Sequence, residues 1–526
     1  MSESIKMSVE EVPDGSVTRQ KINNSAYSTS VESQAGVADN GIISPLRLVD
    51  KLKYDGLASA RSFGILGDGS NQTALINSVL SLGKPIYFPE GNYACFDQLV
   101  VPAGGGIIGC GEKTRFIRNF SAGKALISYV GNGGDVGQQP WLRRFAITTA
   151  ANQFVGENDN GIEIGIAAPW GGRGEIADIT IVGQFDGFKW KGGSVTSFSA
   201  IRCYDSKRHG FFGVNPRGEL LECHAEYSGG NGYYILATNP GETGVRLINC
   251  GTFCSQEFGL QVDASIQEGG ANIWLIGRFS SSFDGRGGIH STKPVVQFLW
   301  DKIFIEYAGY SRNFRPAFAD YPDAKGVTLA GPRVERIAGS DIEIYNCRGQ
   351  GILVDNADIQ LSGVTKVANN GRGLGVGADR VGVGIQNGAR VFIQSLYTEA
   401  HKASVAQSTD LAINTPDCVV EVGETDCRAV YNVGSPVSWV GRRKNLEAVT
   451  IPSASTLLIP GYAKRVTVTG GTNINAATPT WPGHEIVVYC EASPSISNGN
   501  NLRKQSLSAE KVSRWICDGT NWWISS

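Results

Sequence analysis

Short runs of apolar residues alternate with polar residues along most of this chain, and glycine- and asparagine-rich turns separate the runs. Nine of the runs between residues 60 and 430 begin with a glycine that two to four apolar or β-prone residues follow. The glycines stand 22 to 38 residues apart: Gly161, Gly187, Gly210, Gly232, Gly259, Gly288, Gly326, Gly351 and Gly382. A second strand-like run lies between most of them, as at 176–182, 198–204 and 220–227. The pattern indicates a repeated unit of two or three short strands.

A unit of this size cannot bury an apolar face by itself, whereas stacked units share a continuous core. A repeat of about 22–30 residues fits one coil of a right-handed parallel β-helix, and we interpret each glycine as a tight corner with a positive φ angle. The asparagine–leucine framework of a leucine-rich repeat is absent, and a β-sandwich would not repeat one type of corner. We therefore predict an all-β parallel β-helix over residues 56–435.

The two ends of the chain have a different character. Residues 1–55 are polar and end in a short helical pattern, in which Ser44 can cap and Pro45 suits the first helical position. They predict a short N-terminal leader that is not a folded domain. A second short helix is predicted over Thr73–Leu82, where it would cover the open end of the β-helix. Alternating runs over 436–526, separated by turn residues, predict a small C-terminal antiparallel β-sandwich, a candidate for trimerisation or carbohydrate binding.

The composition excludes several classes of protein. The chain has 526 residues, of which 41% are hydrophobic and 18% charged, so intrinsic disorder is excluded. Its 68 glycines do not recur at every third position, as collagen requires. A formal net charge of -2 lacks the basic excess of a nucleic-acid-binding domain. Because no stretch of 18 apolar residues and no signal-peptide pattern occurs, we expect neither membrane insertion nor secretion through a cleaved signal.

Eleven cysteines are distributed along the chain without any CxxC pair. We expect most of them to be reduced core residues of a chain that folds in a cytosol. Hydrophobe–x–cysteine units recur on three successive coils, so Cys203, Cys223 and Cys250 are predicted to share one internal column. The spacing of a zinc site is absent, and the glycine-rich stretch 371–377 lacks the lysine and helix of a phosphate loop. We expect neither a metal nor a cofactor.

The best candidate chemistry lies in residues 198–227, where polar and apolar side chains alternate. The predicted inward set is Leu221, Cys223 and Ala225. Three polar side chains would then point outward: Glu222, His224 and Glu226. On the preceding coil Arg202 and Tyr204 would also point outward, with Arg202 beside Glu222 and Tyr204 beside His224. Such a row can carry acid–base chemistry, because hydrolysis uses two carboxylates and β-elimination uses a base with a group that neutralises a carboxylate of the substrate.

Candidate catalytic residues are Glu222, Glu226, His224 and Asp205, although outward Glu, Arg and His side chains on a β-helix more often form a solvated face with ion pairs between coils. Glu222 and Glu226 stand about 13 Å apart along a strand, beyond the roughly 6.5–9.5 Å of inverting hydrolases unless the strand bends. Asp205 and Glu226 on adjacent coils would lie nearer the roughly 5–5.5 Å of retaining enzymes. The catalytic pair therefore stays open. Candidate substrate-binding residues are Arg202, Tyr204, Trp274, Arg278 and Glu306.

One stretch of the chain matches a known pattern. It reads Phe63-Gly-Ile-Leu-Gly-Asp-Gly, Thr73-Ala-Leu-Ile, Ile86-Tyr-Phe-Pro-Glu-Gly-Asn-Tyr and Ile107-Ile-Gly-Cys-Gly. This resembles the start of pectate-lyase-like β-helices, and especially of bacteriophage tailspikes that depolymerise capsule or O-antigen. The acidic pair usual before the threonine is absent, since the chain has Ser70-Asn71-Gln72 there. Residues 40–49 resemble a particle-binding leader, and Cys517-Asp-Gly-Thr-Asn-Trp resembles the last hairpin of phage tail proteins.

The resemblance implies a homotrimer on the virion, attached to the phage tail or baseplate through its N-terminus. It also implies assembly in the host cytoplasm and cleavage of bacterial surface polysaccharide at the cell surface. It supplies no catalytic residues, because tailspikes share no catalytic motif. The two outward carboxylates favour hydrolysis over lyase chemistry. The alternatives are a polysaccharide lyase on the same fold, a receptor-binding fibre without enzymatic activity, and a cellular polysaccharide lyase or polygalacturonase.

Overall fold

The structure is a computed structural model, and a defined set of residues is described. These are 57–130, 140–151, 155–165, 175–192, 196–238, 243–264, 271–291, 295–319, 321–331, 336–372, 380–398, 409–425, 427, 430–432, 435, 437–439, 448–459, 465–480, 483–490, 496, 500–504 and 512–525. The predicted leader and its short helix lie outside the described residues. No helix within these ranges is long and apolar enough to span a membrane.

Within these ranges the regular structure consists of one α-helix, α1 (Thr73–Leu80), and 41 strands, with two short 3-10 helices at Ala60–Phe63 and Ser311–Asn313. The first strands are β1 (Ala58–Ser59), β2 (Asp68–Asn71), β3 (Pro85–Tyr87), β4 (Gly91–Cys95), β5 (Leu99–Val101), β6 (Gly106–Ile108), β7 (Thr114–Arg118), β8 (Ile127–Val130), β9 (Trp141–Thr149), β10 (Ile162–Gly165), β11 (Glu175–Val182), β12 (Phe188–Lys191), β13 (Thr196–Tyr204) and β14 (Phe211–Val214).

The middle strands are β15 (Arg217–Leu221), β16 (His224–Glu226), β17 (Tyr233–Ala237), β18 (Gly244–Ile248), β19 (Gly251–Phe253), β20 (Phe258–Ala264), β21 (Ala271–Ser282), β22 (Gly287–Ser291), β23 (Val295–Glu306), β24 (Lys325–Ala330), β25 (Arg336–Tyr345), β26 (Ile352–Asp355), β27 (Asp358–Ala368) and β28 (Val381–Gln386). The last strands are β29 (Arg390–Tyr397), β30 (Thr409–Ile413), β31 (Val419–Thr425), β32 (Val430–Asn432), β33 (Val437–Trp439), β34 (Ala448–Pro452), β35 (Thr456–Leu457), β36 (Arg465–Thr469), β37 (Ala476–Ala477), β38 (His484–Cys490), β39 (Leu502–Lys504), β40 (Val512–Cys517) and β41 (Trp522–Ser525).

Two long sheets of parallel strands form a parallel β-helix, as predicted. One sheet has 20 described strands and the other has 13. Each coil of the chain contributes strands to both sheets. In the 13-stranded sheet the residue after each predicted repeat glycine pairs with its counterpart on the next coil: Ile162 with Phe188, then Phe211, Tyr233, Leu260, Ile289, Val327, Ile352 and Val383. The repeat found in the sequence is therefore the coil of the structure.

The repeat glycines do not occupy positive-φ corners, so the reason we gave for them is wrong. None of the nine is among the described glycines with positive φ. Glycine is needed because a Cβ at these positions would collide with side chains of the β-helix or with the backbone of the next coil. A Cβ on Gly210 would lie 2.5 Å from the Ala225 Cβ and 2.9 Å from the Gly232 carbonyl oxygen. A Cβ on Gly187 would lie 2.6 Å from the Cys203 sulfur. Crowding, not backbone conformation, requires glycine there.

Positive-φ residues recur in rows at other places on the coils, and two of these rows flank one face of the 20-stranded sheet. The first corner row runs through Arg144, Asp178, Ala200, Glu222, Asn249 and Gly277, and it bends the 20-stranded sheet into two faces. The second corner row runs through Asp205, Tyr227, Cys254, Phe283, Tyr307 and Asn346. Each coil thus has three strand segments, two in the bent sheet and one in the 13-stranded sheet.

Helix α1 occupies the segment in which the sequence predicts a helix over Thr73–Leu82, and it ends two residues earlier. Its buried residues Ile76, Val79 and Leu80 belong to the continuous core of the β-helix. The helix contacts β3 and β5, near the N-terminal end of the two sheets. Its apolar side therefore closes the open end of the core, which would otherwise expose apolar side chains to water.

All eleven cysteines are free thiols, and ten of them are buried, as expected of core residues. The predicted cysteine column is only partly correct. Cys223 and Cys250 are neighbours on adjacent coils, one residue beyond the paired corner residues Glu222 and Asn249. Cys203 instead pairs with Ala225, which lies two residues after Cys223 on the same coil. The cysteines fill space without forming disulfides.

Residues 448–525 contain a second hydrophobic core, in which Trp515 and Trp522 are fully buried. Six strands form one sheet in the order β34-β36-β38-β40-β41-β39, and β35 pairs with β37. Only β38–β40 and β40–β41 are antiparallel among the described pairings, and the rest are parallel. The expectation of a wholly antiparallel unit is therefore wrong. The predicted hairpin at Asp518-Gly519 joins β40 and β41, where the Asp518 N–H donates to the Asn521 carbonyl at 2.9 Å.

Candidate active site

The predicted outward residues lie on the face of the bent sheet that follows the first corner row. Arg202 pairs with His224, and Tyr204 pairs with Glu226. The register that we expected, with Arg202 beside Glu222 and Tyr204 beside His224, is wrong by two residues. Arg202, Tyr204, His224 and Glu226 nevertheless form one compact four-residue patch, because they occupy alternate positions on two adjacent strands. We call it the catalytic patch, after the candidate catalytic residues His224 and Glu226.

The register error arises at Glu222, where the strict alternation of the strand is interrupted. Glu222 has φ 53° and stands in the first corner row. Leu220, before the corner, is fully buried, whereas Leu221 is 36% exposed, so the inward assignment of Leu221 is wrong. After the corner Cys223 and Ala225 point inward as predicted. A single left-handed residue shifts the phase of the pattern by one position, and a period-2 rule cannot detect it.

Glu226 is half-buried within the catalytic patch. Burial raises the pKa of its carboxyl group above the usual range, while Arg202 and a hydrogen bond with Tyr204 act in the opposite direction. Burial and the negative charge of Glu226 in turn raise the pKa of Tyr204. A carboxyl group that holds its proton more strongly than a free glutamate has the property required of a general acid.

His224 is also half-buried, and burial together with the neighbouring Arg202 cation lowers its pKa. The imidazole is therefore neutral at pH 7 and can accept a proton. Gly251 follows His224 in the same outward row, and the Ser280 side chain and the imidazole ring crowd this position. A Cβ at that position would lie 3.3 Å from the His224 Nδ1 atom and 2.5 Å from the Ser280 hydroxyl oxygen.

The other two predicted catalytic carboxylates lie in the two corner rows. Glu222 is exposed in the first row, four residues before Glu226 and separated from it by the turn of the chain. Asp205 stands in the second row and forms an ion pair with Arg315. The Arg315 guanidinium also lies 4.7 Å from the centre of the Tyr227 ring. Asp205 is thus neutralised by a cation that comes from a distant part of the sequence.

Glu112 is a carboxylate that the sequence reasoning did not single out. Its Oε1 atom accepts a hydrogen bond of 3.0 Å from the Thr180 hydroxyl. Thr180 pairs with Arg202 on the coil below the catalytic patch. The negative charges of Glu112 and Glu226 both raise the pKa of Tyr204, so both carboxylates lie within electrostatic range of that hydroxyl. Only the coil-to-coil register brings Glu112 here, since 90 to 114 residues separate it from the patch in sequence.

The predicted substrate-binding residues beyond the patch separate into two groups. Trp274 lies before the first corner row, paired with Arg246, whose guanidinium lies 5.7 Å from its ring. Arg278 follows the corner and lies 4.4 Å from the Phe304 ring. Glu306 shares a row with Tyr204 and Glu226 but stands three coils above Glu226, or about 14 Å. Arg278 and Glu306 therefore extend the face of the catalytic patch, whereas Trp274 does not.

A ridge of aromatic side chains follows the second corner row beside this face. Phe253 contacts Tyr227 and Phe283, and Phe283 stacks on Tyr307 at 4.8 Å between ring centres. Phe314, which is 46% exposed, packs against Phe253 and Phe283. Aromatic faces that remain open to solvent provide flat apolar surfaces next to polar groups.

The segment after Tyr307 folds back over four coils to reach Asp205. Its start is fixed by the Gly309 N–H, which donates to the Asp284 carbonyl at 2.7 Å. The Cys254 thiol donates to the Ser311 carbonyl at 3.3 Å. Residues 308–319 thereby form a strap that carries Phe314 and Arg315 along one side of the catalytic patch. Among the described residues, no group of three or more His, Cys, Asp or Glu side chains could hold a metal ion.

No protein-family model matches this chain, and no curated protein matches it either. Solved structures similar to it include three polysaccharide- or phage-related proteins. The catalytic unit of an α-1,3-glucanase from Streptomyces thermodiastaticus is 11% identical, with a TM-score of 0.49 over 73% of this chain and 68% of that one. The A-module of a mannuronan C-5 epimerase from Azotobacter vinelandii is 12% identical, with a TM-score of 0.43 over 73% and 98%. Tailspike protein 3 of bacteriophage CBA120 is 13% identical, with a TM-score of 0.37 over 90% and 70%. At these identities none of the three assigns an activity to this chain.

Proposed function

We propose that this protein is a phage tailspike that binds a bacterial capsular or O-antigen polysaccharide and cleaves it by glycoside hydrolysis at the catalytic patch. The observation that carries the proposal is the half-buried Glu226 carboxyl. Its pKa is raised by burial, yet it lies on an outward face that a polymer can reach. Glu226 would act as the general acid that protonates the leaving-group oxygen.

Hydrolysis also requires a second carboxylate, and Glu112 fits this role best. The backbone positions of Thr180, which binds Glu112, and Glu226 differ by two coils and two residues, or about 12 Å. The negative charges of both carboxylates raise the pKa of Tyr204, so both act on the same hydroxyl. A carboxyl separation in the range of inverting enzymes, roughly 6.5–9.5 Å, is compatible with this arrangement. Glu112 would then activate the attacking water.

Glu222 and Asp205 remain alternatives for the second carboxylate, each with a different position. Glu222 would have to turn from its corner toward Glu226. Asp205 is adjacent in space but is neutralised by Arg315, so we assign it a positioning role: it holds the strap beside the patch. The aromatic ridge would bind the apolar faces of the sugar rings, and Arg278 and Glu306 would bind hydroxyl groups further along the groove.

A second candidate reaction is β-elimination at the same patch, and one observation favours it. Arg202 lies beside a neutral His224 on the adjacent strand. A guanidinium can neutralise the carboxylate of a uronic acid, while His224 removes the proton at C5. The C4–C5 double bond then forms as the C4–O bond breaks, and the protonated Tyr204 hydroxyl can give its proton to the leaving oxygen. This reaction would require an acidic polysaccharide, whereas hydrolysis would not.

The experiment is incubation of the purified full chain with surface polysaccharides from a panel of bacteria. New reducing ends without absorbance near 235 nm would support hydrolysis, and new absorbance there would support β-elimination. Intact polymer that nevertheless binds the protein would identify a receptor-binding fibre and contradict both reactions. Glu226→Gln should abolish cleavage, and Glu485→Gln is the matched control, because Glu485 is an exposed glutamate paired with Arg514 in the C-terminal unit.

The remaining assignments rest on the resemblance of residues 40–49, 63–111 and 517–522 to phage tail proteins. We propose that 1–55 attach the chain to the phage tail or baseplate and that 56–435 form the catalytic β-helix. Residues 436–526 would support a homotrimer or bind carbohydrate. Sedimentation of the full chain and of a chain lacking 436–526 tests the trimer, which should be lost only in the shortened chain. We propose no cofactor, and cleavage should therefore persist in EDTA.

A further inference from the structure

A cavity of about 310 Å³ opens on the other face of the bent sheet, near the C-terminal end of the β-helix. Its outward lining residues come from β27, β29 and β31 on three successive coils. Asp358 pairs with Arg390, and Gln360 pairs with Phe392, which in turn pairs with Glu421. One ring, one amide, one guanidinium and two carboxylates therefore surround a single depression.

The polar groups in this cavity are not neutralised by each other. Among the described residues, none of the side chains of Asp358, Gln360, Arg390 and Glu421 forms a hydrogen bond or an ion pair. Elsewhere on the bent sheet, facing charges are paired, as Glu219 is with Arg246 at 2.6 Å. Polar side chains that converge on a concave surface without partners are typical of a site that binds a polar ligand.

We propose that this cavity binds one or two residues of a neutral sugar or an amino sugar, as a second glycan site distinct from the catalytic patch. A sugar ring has an apolar face that packs on an aromatic ring such as Phe392. It also has hydroxyl groups around its rim, which Asp358, Gln360, Arg390 and Glu421 can bind as acceptors and donors. Two carboxylates against one guanidinium disfavour a uronic acid.

Other ligand classes fit this site less well. An extended peptide needs a free strand edge, but β29 pairs with β27 on one side and β31 on the other. A phosphate would meet two carboxylates and a single cation. A metal ion would need converging ligands, whereas Asp358 and Glu421 differ by two coils and two residues, or about 12 Å between backbones.

The second site is separate from the catalytic patch. Six strand-to-strand steps lead from β16 to β29, or about 29 Å along the axis. The first corner row also lies between the two faces. Binding at the cavity therefore does not depend on cleavage, and the two can be tested separately.

The test is a binding titration of the full chain carrying Glu226→Gln, in which binding is measured by calorimetry and by saturation-transfer NMR. The probes are cellotriose, chitotriose and trigalacturonate. We expect cellotriose or chitotriose to bind with a dissociation constant in the millimolar range or below. Phe392→Ala and Arg390→Ala should each weaken that binding at least tenfold, and Phe392→Tyr should retain it. Arg390 is exposed, so its replacement should leave the fold intact even if Phe392→Ala unfolds the chain.

Three results would overturn the second site. These are the absence of binding by both neutral and amino-sugar probes, a stronger binding of trigalacturonate, and unchanged binding in Arg390→Ala and Phe392→Ala. If binding survives in Arg390→Ala but is lost in Tyr204→Phe, the sugar binds at the catalytic patch. That result would also overturn the second site. Failure of the proposed cleavage would leave all of these results unchanged, since cleavage is assayed separately with the wild-type chain.

Discussion

Arg315 and Asp205 form an ion pair although 110 residues separate them in sequence. Asp205 stands in the second corner row, and Arg315 belongs to the strap that folds back from Tyr307. The same guanidinium covers the ring of Tyr227, one coil above Asp205. This contact holds the strap, with the exposed ring of Phe314, along one side of the catalytic patch.

The ion pair should contribute to the position of the strap more than to stability. The side chains of Arg315 and Asp205 are 41% and 46% exposed, so solvent screens their attraction. In a double-mutant cycle with Arg315→Ala and Asp205→Ala, measured by urea unfolding, we expect a coupling of about 1 kcal/mol or less. Arg315→Ala should raise KM for the polysaccharide more than it lowers kcat. A coupling of several kcal/mol would contradict this prediction.

The pH dependence of cleavage should identify Glu226 as the acid. Because the acid must be protonated, activity should fall as pH rises through the pKa of Glu226, which burial holds above 4.5. Arg202 lowers this pKa, so Arg202→Met should move the alkaline limb of the kcat/KM profile to higher pH. Arg246→Met, on the face before the first corner row, is the control and should leave the limb in place. A limb that does not move in Arg202→Met would exclude Glu226 as the titrating acid.

Crowding at the repeat glycines predicts a large difference between two glycine substitutions. In Gly210→Ala the new Cβ would meet Ala225 and the Gly232 backbone, neither of which can rotate away. We expect the free energy of unfolding to fall by about 1–3 kcal/mol or more. In Gly471→Ala no atom lies within 4 Å of the new Cβ, and its φ is not in the left-handed region. Its effect should stay within about 0.5 kcal/mol. Equal thermal shifts in the two variants would refute the steric explanation.

Asp284 should make stability depend on pH in the weakly acidic range. It is fully buried, and burial raises its pKa to about 6, although it accepts hydrogen bonds from Ser281 at 2.5 Å and Thr252 at 2.7 Å. The folded state therefore binds this proton more tightly than the unfolded chain, whose Asp has a pKa of 3.8. The contribution of protonated Asp284 to the free energy of unfolding is complete below about pH 4, and it is lost as pH rises through about 6.

Asp284→Asn tests this assignment, since asparagine does not titrate. The difference in urea midpoint between the wild type and Asp284→Asn should change steadily between pH 4 and 6 and then level off. The direction should be a relative loss of wild-type stability as pH rises. Parallel midpoints across that range would show that Asp284 has the same pKa in the folded and unfolded states.

Several features of the site follow from sequence patterns, and others do not. Period-2 alternation is sufficient to predict that His224 and Glu226 point outward and that Cys223 and Ala225 point inward. It fails at Leu221, because the left-handed backbone at Glu222 changes the phase of the strand. Nothing in the residues marks Glu222 as such a corner. Asparagine and aspartate favour left-handed backbone, and the same row contains Asn249 and Asp178, but also alanine and glutamate.

The sequence by itself determined the architecture, because the recurring glycines and apolar runs reflect a local requirement that every coil must meet. Each coil needs a glycine at the position where a Cβ would collide with the neighbouring chain. Each coil also needs alternating apolar side chains that build a shared core. Only the tertiary structure decided which residues are neighbours on the outer face. Coil lengths vary with the loops, so the register between coils depends on backbone pairing summed over whole strands. That pairing places Tyr204 beside Glu226, brings Glu112 beneath them, and returns Arg315 to Asp205.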